Sequence, residues 1–144
     1  MKKTLLILFA CICALTACTE QKPTPTRAER IREQLLTCDE SSVIVVAHRA
    51  DWRNFSENSL EAIQSAIEMG VDMLEIDVQR TKDGVLILMH DHNLDRTTTG
   101  SGNIADTNWE DIAKLNLKDH QGNVTTYKVP KLEDALLMCK DRIM

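Results

Sequence analysis

The period of the apolar positions changes several times along the chain, and each change marks an element. Val43-Ile44-Val45-Val46-Ala47 is a short continuous apolar run rich in β-branched residues, the pattern of a strand buried on both faces. It runs into His48-Arg49. Asn58, with Glu61 three residues on, has capping-box spacing, and Leu60, Ile63 and Ile67 follow at helical period as far as Gly70, a natural stop. Val71 to Val78 then reads as a second strand. Leu74, Ile76 and Val78 fall on one of its faces, and Met73, Glu75, Asp77 and Gln79 on the other. A strand, a helix and a strand this close in sequence form a βαβ unit, so the two strands should run parallel.

Two carboxylates on one face of a buried strand are hard to place in an open sheet. In a barrel the apolar set faces the helices and the carboxylates point into the mouth. The expected fold class is therefore α/β, the N-terminal portion of a (β/α)8 TIM-type barrel, incomplete in this chain. Thr81-Lys82-Asp83-Gly84 is too short for a parallel crossover, so a hairpin with Asp-Gly at its turn should lead into Val85 to Met89. A two-residue turn sets His90 opposite Asp77, and a four-residue loop sets it opposite Glu75. Either register puts the imidazole on the face of the two carboxylates.

Further on, Thr97 to Gly102 has loop composition, and Thr107 with Glu110 offers a capping box for a short helix through about Leu115. Asp119 to Asn123 reads as a turn. Pro130 suits a first helical position, ahead of an apolar stripe at Leu132, Ala135, Leu136 and Cys139.

The N-terminus has a different pattern. Lys2 and Lys3 precede a nearly unbroken apolar run, Leu5 to Ala14, too short to span a bilayer but suited to a signal peptide. It ends in Leu15-Thr16-Ala17-Cys18, which resembles a bacterial lipoprotein signal. That resemblance implies cleavage before Cys18, lipidation of its thiol, and attachment to a membrane surface in the bacterial cell envelope. Three segments result: signal peptide 1–17; lipidated Cys18, proline-containing tether and a short helix from Arg27 to Leu36 within 18–42; and the body, 43–144.

The whole chain carries 17 basic and 22 acidic residues, and loss of residues 1–17 removes only bases. An acidic body with no basic run and few aromatics argues against a nucleic-acid partner. Cys38 and Cys139 are the cysteines that remain beyond Cys18, too few for a disulfide framework or a metal-spaced cluster.

His48-Arg49, Glu75-x-Asp77 and His90-Asp91 all fall at strand ends or on the facing hairpin. Together they have the parts needed to cleave a phosphodiester. Two oxygen ligands at i and i+2 suit a hard divalent cation, Mg²⁺ or Ca²⁺. Arg49 can bind a phosphoryl oxygen, and two histidines can supply a base and an acid. His92 and His120 read as loop histidines, and Asp95-Arg96 as a loop ion pair.

In order, His48-Arg49-Ala50, Ser56-Glu57-Asn58-Ser59, Glu75-Ile76-Asp77-Val78, Thr81-Lys82-Asp83-Gly84 and His90-Asp91 resemble the motifs of glycerophosphodiester phosphodiesterases. Leu94-Asp95-Arg96-Thr97-Thr98 and Val129-Pro130-Lys131-Leu132-Glu133 extend the similarity from about Val43 to the end. The resemblance implies a (β/α)8 barrel that cleaves glycerophosphodiesters to glycerol 3-phosphate and an alcohol. It makes His48 and His90 the catalytic pair (His48 the base, His90 the acid), Glu75 and Asp77 metal ligands, and Arg49 the phosphate contact. Two departures stand out. Ala50 replaces a usual glycine, which matters if the backbone there needs φ > 0. Ser56 and Ser59 replace a usual proline and threonine. A (β/α)8 barrel takes ~250 residues, so a further metal ligand is expected beyond residue 144 and little activity from this stretch alone. Two other readings stay open: a non-catalytic surface lipoprotein that binds a phosphorylated ligand, and a phospholipase-type enzyme acting on intact lipid.

Overall fold

The computed structural model describes residues 23–37 and 41–144. Cys18, Cys38 and the segment 1–17 lie outside the described residues, and among those described no helix is long and apolar enough to cross a membrane. Helix α1, Arg27–Thr37, turns a single fully buried side chain, Ile31, toward the body. Arg27 fastens it there: its guanidinium donates to the carbonyls of Gly70 and Val71 at 2.7 and 2.9 Å.

Strand β1, Val46–His48, pairs in parallel with β2, Met73–Glu75, across helix α2, Leu60–Met69. The expected βαβ unit is present. Gly70 ends α2 with φ 80°, its N–H returning to the carbonyls of Ala66 and Ile67. The cap at the other end is Ser59 and not Asn58. Ser59 Oγ accepts from Ala62 N at 3.1 Å, which leaves the Asn58 amide for another task. The first strand is also less covered than its composition suggests, with Val43, Val45 and Val46 exposed and β2 its one paired neighbour among the described residues.

The run from Val71 to Val78 is not one strand. It changes partners at Ile76-Asp77: β2 keeps to β1, while β3, Val78–Arg80, pairs antiparallel with β4, Leu86–Leu88. The break is anchored on both sides of Asp77. Its N–H donates to Asn58 Oδ1 at 3.2 Å, and its carbonyl accepts from Met89 N at 3.0 Å. Val78 consequently leaves the apolar face and is exposed.

Neither expected hairpin register occurs. Val78 pairs with Leu88, Gln79 with Ile87 and Arg80 with Leu86, so the loop holds three residues, Lys82 to Gly84. Gly84 takes φ 88°, the left-handed position that closes a three-residue hairpin. Thr81 explains the choice: its Oγ1 donates to Asp83 Oδ1 and accepts from Val85 N, tying the loop at that length. Asp83 Oδ1 also accepts from Trp109 N at 2.9 Å. It thereby caps helix α3, Trp109–Ile112, which Thr107 was expected to start. Thr81, and then the Trp109 amide, hold the Asp83 carboxyl below its ordinary range.

Strand β4 divides two cores by simple alternation. Leu88 joins Ala62, Ile63, Ala66 and Ala135 between the βαβ unit and helix α4, Leu132–Cys139. Ile87 and Met89 join Leu94, Ile104, Ile112, Leu117 and Val129 on the other side. That second core lies under an antiparallel pair, β5 (Asn116–Lys118) and β6 (Val124–Lys128), joined by the expected turn at Asp119 to Asn123. Pro130 stands two residues before α4, not at its first position. The α4 stripe is displaced as well, because Leu136 is exposed and Met138 packs inward. At the chain end Met144 N donates to Asp72 O, and Leu74 N to Met144 O, the two bonds of a parallel bridge beside β2.

Ala50 answers the question its glycine-like position raised. The backbone does take φ 61° there, directly after Arg49 at φ 51°. Left-handed backbone costs an alanine ~1–2 kcal/mol. Glycine would relieve that strain, while forfeiting a buried methyl, ~0.8 kcal/mol, and adding chain entropy, roughly 0.4–1 kcal/mol. The terms nearly cancel. Ala50→Gly should therefore leave urea stability within about 0.5 kcal/mol of the parent. The same change at Ala66, buried inside α2, relieves nothing and should cost about 2 kcal/mol. Equal losses at both positions would show that Ala50 bears no strain.

Candidate active site

The parallel register of β1 and β2 sets His48 beside Glu75, with His48 Nε2 3.9 Å from Glu75 Oε2. The left-handed turn that follows aims the Arg49 amide at the same oxygen, which accepts it at 3.1 Å. Two consecutive residues thus converge on one carboxylate. This is a consequence of backbone register and turn, and needs no long side chain to reach across.

Asp77 is held by Asn58, which is almost fully buried. The Asn58 side-chain amide donates to Asp77 Oδ2 at 2.9 Å and its oxygen accepts from Asp77 N, a reciprocal clamp. Asn58 takes φ 59° to make it, and its own N–H donates to Arg49 O at 3.2 Å. The loop after β1 and the break after β2 are therefore locked to each other. The Arg49 guanidinium lies between Glu57, at 3.3 Å, and Asp77, at 3.6 Å. Its Nε is buried without a hydrogen-bond partner.

A cleft of about 270 Å³ opens here, lined by His48, Arg49, Trp52, Glu57, Arg96 and His120. His120 comes from the β5–β6 turn and meets Trp52 edge-on at 5.9 Å. It is an exposed turn histidine, as its sequence context suggested, and that turn also forms part of the cleft wall. Nothing local signals it, because only the packing of the second core brings that turn over the strand ends. Trp52 also carries Arg53 over its ring at 5.4 Å, while Phe55 packs inward against Tyr127.

His90 is placed differently from expectation. Continuing the observed register would set it opposite Ile76, and the ladder ends before that point. The observed register is one residue away from each expected one, so neither expected pairing of His90, with Asp77 or with Glu75, is made. Its Nδ1 instead lies 2.7 Å from Asp91 Oδ1, and Gln79 Nε2 donates to its carbonyl. Arg96 is not paired with Asp95. It donates twice to Glu57, at 2.9 and 2.8 Å, and twice to Asp91, at 2.8 and 2.9 Å. Arg96, and then His90, hold the Asp91 carboxyl well below its ordinary range. Glu57 and Asp91 in turn raise the Arg96 guanidinium, which stays charged.

Glu75 and Asp77 are the kind of donor a hard divalent cation takes, carboxylate oxygens at the carboxyl end of a barrel-type strand. They fit such an ion as part of its shell. Among the described residues, no group of three His, Cys, Asp or Glu side chains could hold a metal.

A βαβ unit with an imidazole, two carboxylates and a guanidinium at its strand ends defines an α/β protein built as part of a (β/α)8 barrel. The sequence profile of the glycerophosphoryl diester phosphodiesterase family matches residues 48–143. A glycerophosphodiester phosphodiesterase of Caldanaerobacter subterraneus subsp. tengcongensis is 49% identical over 72 residues, 50% of this chain and 30% of that protein. Glycerophosphodiester phosphodiesterase 1 of Mus musculus is 37% identical over 121 residues, 82% of this chain and 35% of that protein. Among solved structures, a glycerophosphoryl diester phosphodiesterase from Parabacteroides distasonis is similar with TM-score 0.66 and 34% identity, over 70% of this chain and 36% of that one. An Oleispira antarctica phosphodiesterase in complex with the product sn-glycerol-3-phosphate is similar with TM-score 0.60 and 28% identity, over 67% of this chain and 39% of that one. The chain spans about a third of the length of these two curated relatives. It belongs to the glycerophosphoryl diester phosphodiesterase family.

Proposed function

We propose that the protein hydrolyses glycerophosphodiesters to glycerol 3-phosphate and an alcohol. The observation that carries this reading is the convergence of His48 and the Arg49 amide on Glu75, beside the Asn58-clamped Asp77, in a chain of this family. His48 takes the proton of the attacking glycerol hydroxyl as its oxygen bonds to phosphorus. His90 gives a proton to the alcohol oxygen as the second phosphorus–oxygen bond breaks. The cyclic phosphate so formed is opened by water, with the proton transfers reversed. Arg49 binds a phosphoryl oxygen. Glu75 and Asp77 would hold Mg²⁺ or Ca²⁺, which would offset charge on the phosphoryl oxygens.

The test is direct. Protein expressed from its natural gene should release glycerol 3-phosphate from glycerophosphocholine, and chelation of divalent cations should stop it. Binding of the diester without release would favour a phosphate-binding lipoprotein, and cleavage confined to intact phospholipid a phospholipase-type enzyme.

The reading includes attachment to the membrane through a lipidated Cys18, supported by the charged, apolar and small-residue order of the first 18 residues. Cys18→Ala should abolish lipidation and release the protein from washed membranes. Retention of the unlipidated variant after a salt wash would exclude this anchor.

A further inference from the structure

The Arg96 network lies outside every role assigned so far, yet it joins the two halves of the site. Its guanidinium is bonded in two-pronged fashion to Glu57, on the loop after β1, and to Asp91, on the segment after β4. Glu57 also contacts Arg49, and Asp91 contacts the ring nitrogen Nδ1 of His90. The order is Arg49, Glu57, Arg96, Asp91, His90, with guanidinium and carboxylate alternating as far as the imidazole. Side chains of Glu57 and Asp91 are only 15% and 22% exposed, so these bonds are partly shielded from water. No other described contact joins the His90 side chain to the cleft that contains His48.

We propose that Asp91 and Arg96 are positioning residues that fix the proton-carrying atom of His90. The Asp91 carboxylate accepts the Nδ1–H of the imidazole, so the neutral ring keeps its proton on Nδ1 and exchanges a proton through Nε2. Arg96 keeps Asp91 ionised and aimed, and ties it to the wall that carries Arg49. Only a planar guanidinium spans two carboxylates with paired bonds; an ammonium cannot. This explains why the segment after His90-Asp91 supplies an arginine and why Glu57 is turned inward to meet it. The catalytic part of the role rests on the phosphodiesterase reading; the tautomer does not.

The two parts are measured separately, in protein expressed from its natural gene. Long-range ¹H–¹⁵N correlation NMR reports which nitrogen of neutral His90 carries the proton. The Nδ1–H form should dominate in the parent and give way to a mixture in Asp91→Asn and Arg96→Met. Arg96→Lys should not restore it, whereas Glu57→Gln, which leaves the Arg96–Asp91 bonds in place, should retain it. Should Arg96→Met fail to fold, Asp91→Asn, equal in size, decides the matter. On glycerophosphocholine, Asp91→Asn should lower kcat at least about tenfold with little change in KM. An unchanged Nδ1–H form in a folded Asp91→Asn variant would overturn the proposal. So would an unchanged kcat in an active parent. A parent that shows the tautomer but releases no glycerol 3-phosphate would refute the phosphodiesterase reading and leave the positioning geometry standing.

Discussion

Removing either imidazole should cost on the order of 10²–10⁴ in rate, but only one of the two losses should be repairable by the substrate. A diester whose alcohol is strongly acidic, such as a nitrophenol, needs no proton on its departing oxygen. It should restore most of the rate to His90→Ala and little to His48→Ala. The asymmetry follows from the proposed roles, His48 acting on the attacking hydroxyl and His90 on the leaving oxygen. The two rings stand beside different carboxylates, His48 3.9 Å from Glu75 and His90 2.7 Å from Asp91, on different elements. Rescue of His48→Ala instead would exchange the roles. Rescue of neither variant, with both folded, would remove proton transfer from the account of these residues.

The carboxylates should be at least as sensitive. Glu75→Gln and Asp77→Asn preserve shape but remove a charged oxygen donor, and each should lower turnover by more than about 100-fold, beyond what residues that merely orient a ligand contribute. Calorimetric binding of Mg²⁺ or Ca²⁺ should weaken in parallel. Asn58→Ala makes the informative comparison. Asn58 touches Asp77 through both its amide atoms, so losing it should cost roughly 10–100-fold, less than losing Asp77 itself. Glu75→Gln must also keep one oxygen for the Arg49 amide, so its fold should survive and its defect be chemical. Full activity of the parent in excess chelator would contradict the metal assignment, whatever the variants did.

A set of candidate site residues was legible in the sequence, and so was the backbone that holds half of them. The β-branched run before His48, the helical spacing of Leu60, Ile63 and Ile67, and the glycine stop at Gly70 each have a local cause, and together they dictate a parallel pair with His48 and Glu75 at corresponding strand ends. Ala50 was flagged only through the family resemblance, as a departure from a usual glycine, and its backbone is indeed left-handed. The hairpin register was not legible. Two- and four-residue loops both satisfied the Asp-Gly signal, and three residues won because Thr81 and Asp83 bond across the loop and onto the α3 terminus. That single residue of difference in the loop removed both pairings expected for His90, with Asp77 and with Glu75. Asn58 and Arg96 show the same division. Their types fit a helix cap and a loop ion pair with a neighbour, and each instead bonds a partner distant in sequence, 19 residues away for Asp77 and 39 for Glu57. Local pattern determines elements and their ends because its interactions lie within a turn or a strand. Partnership between buried polar groups was decided only when the two cores brought distant segments into hydrogen-bonding reach, where an unmet donor or acceptor is costly and each takes the partner at hand.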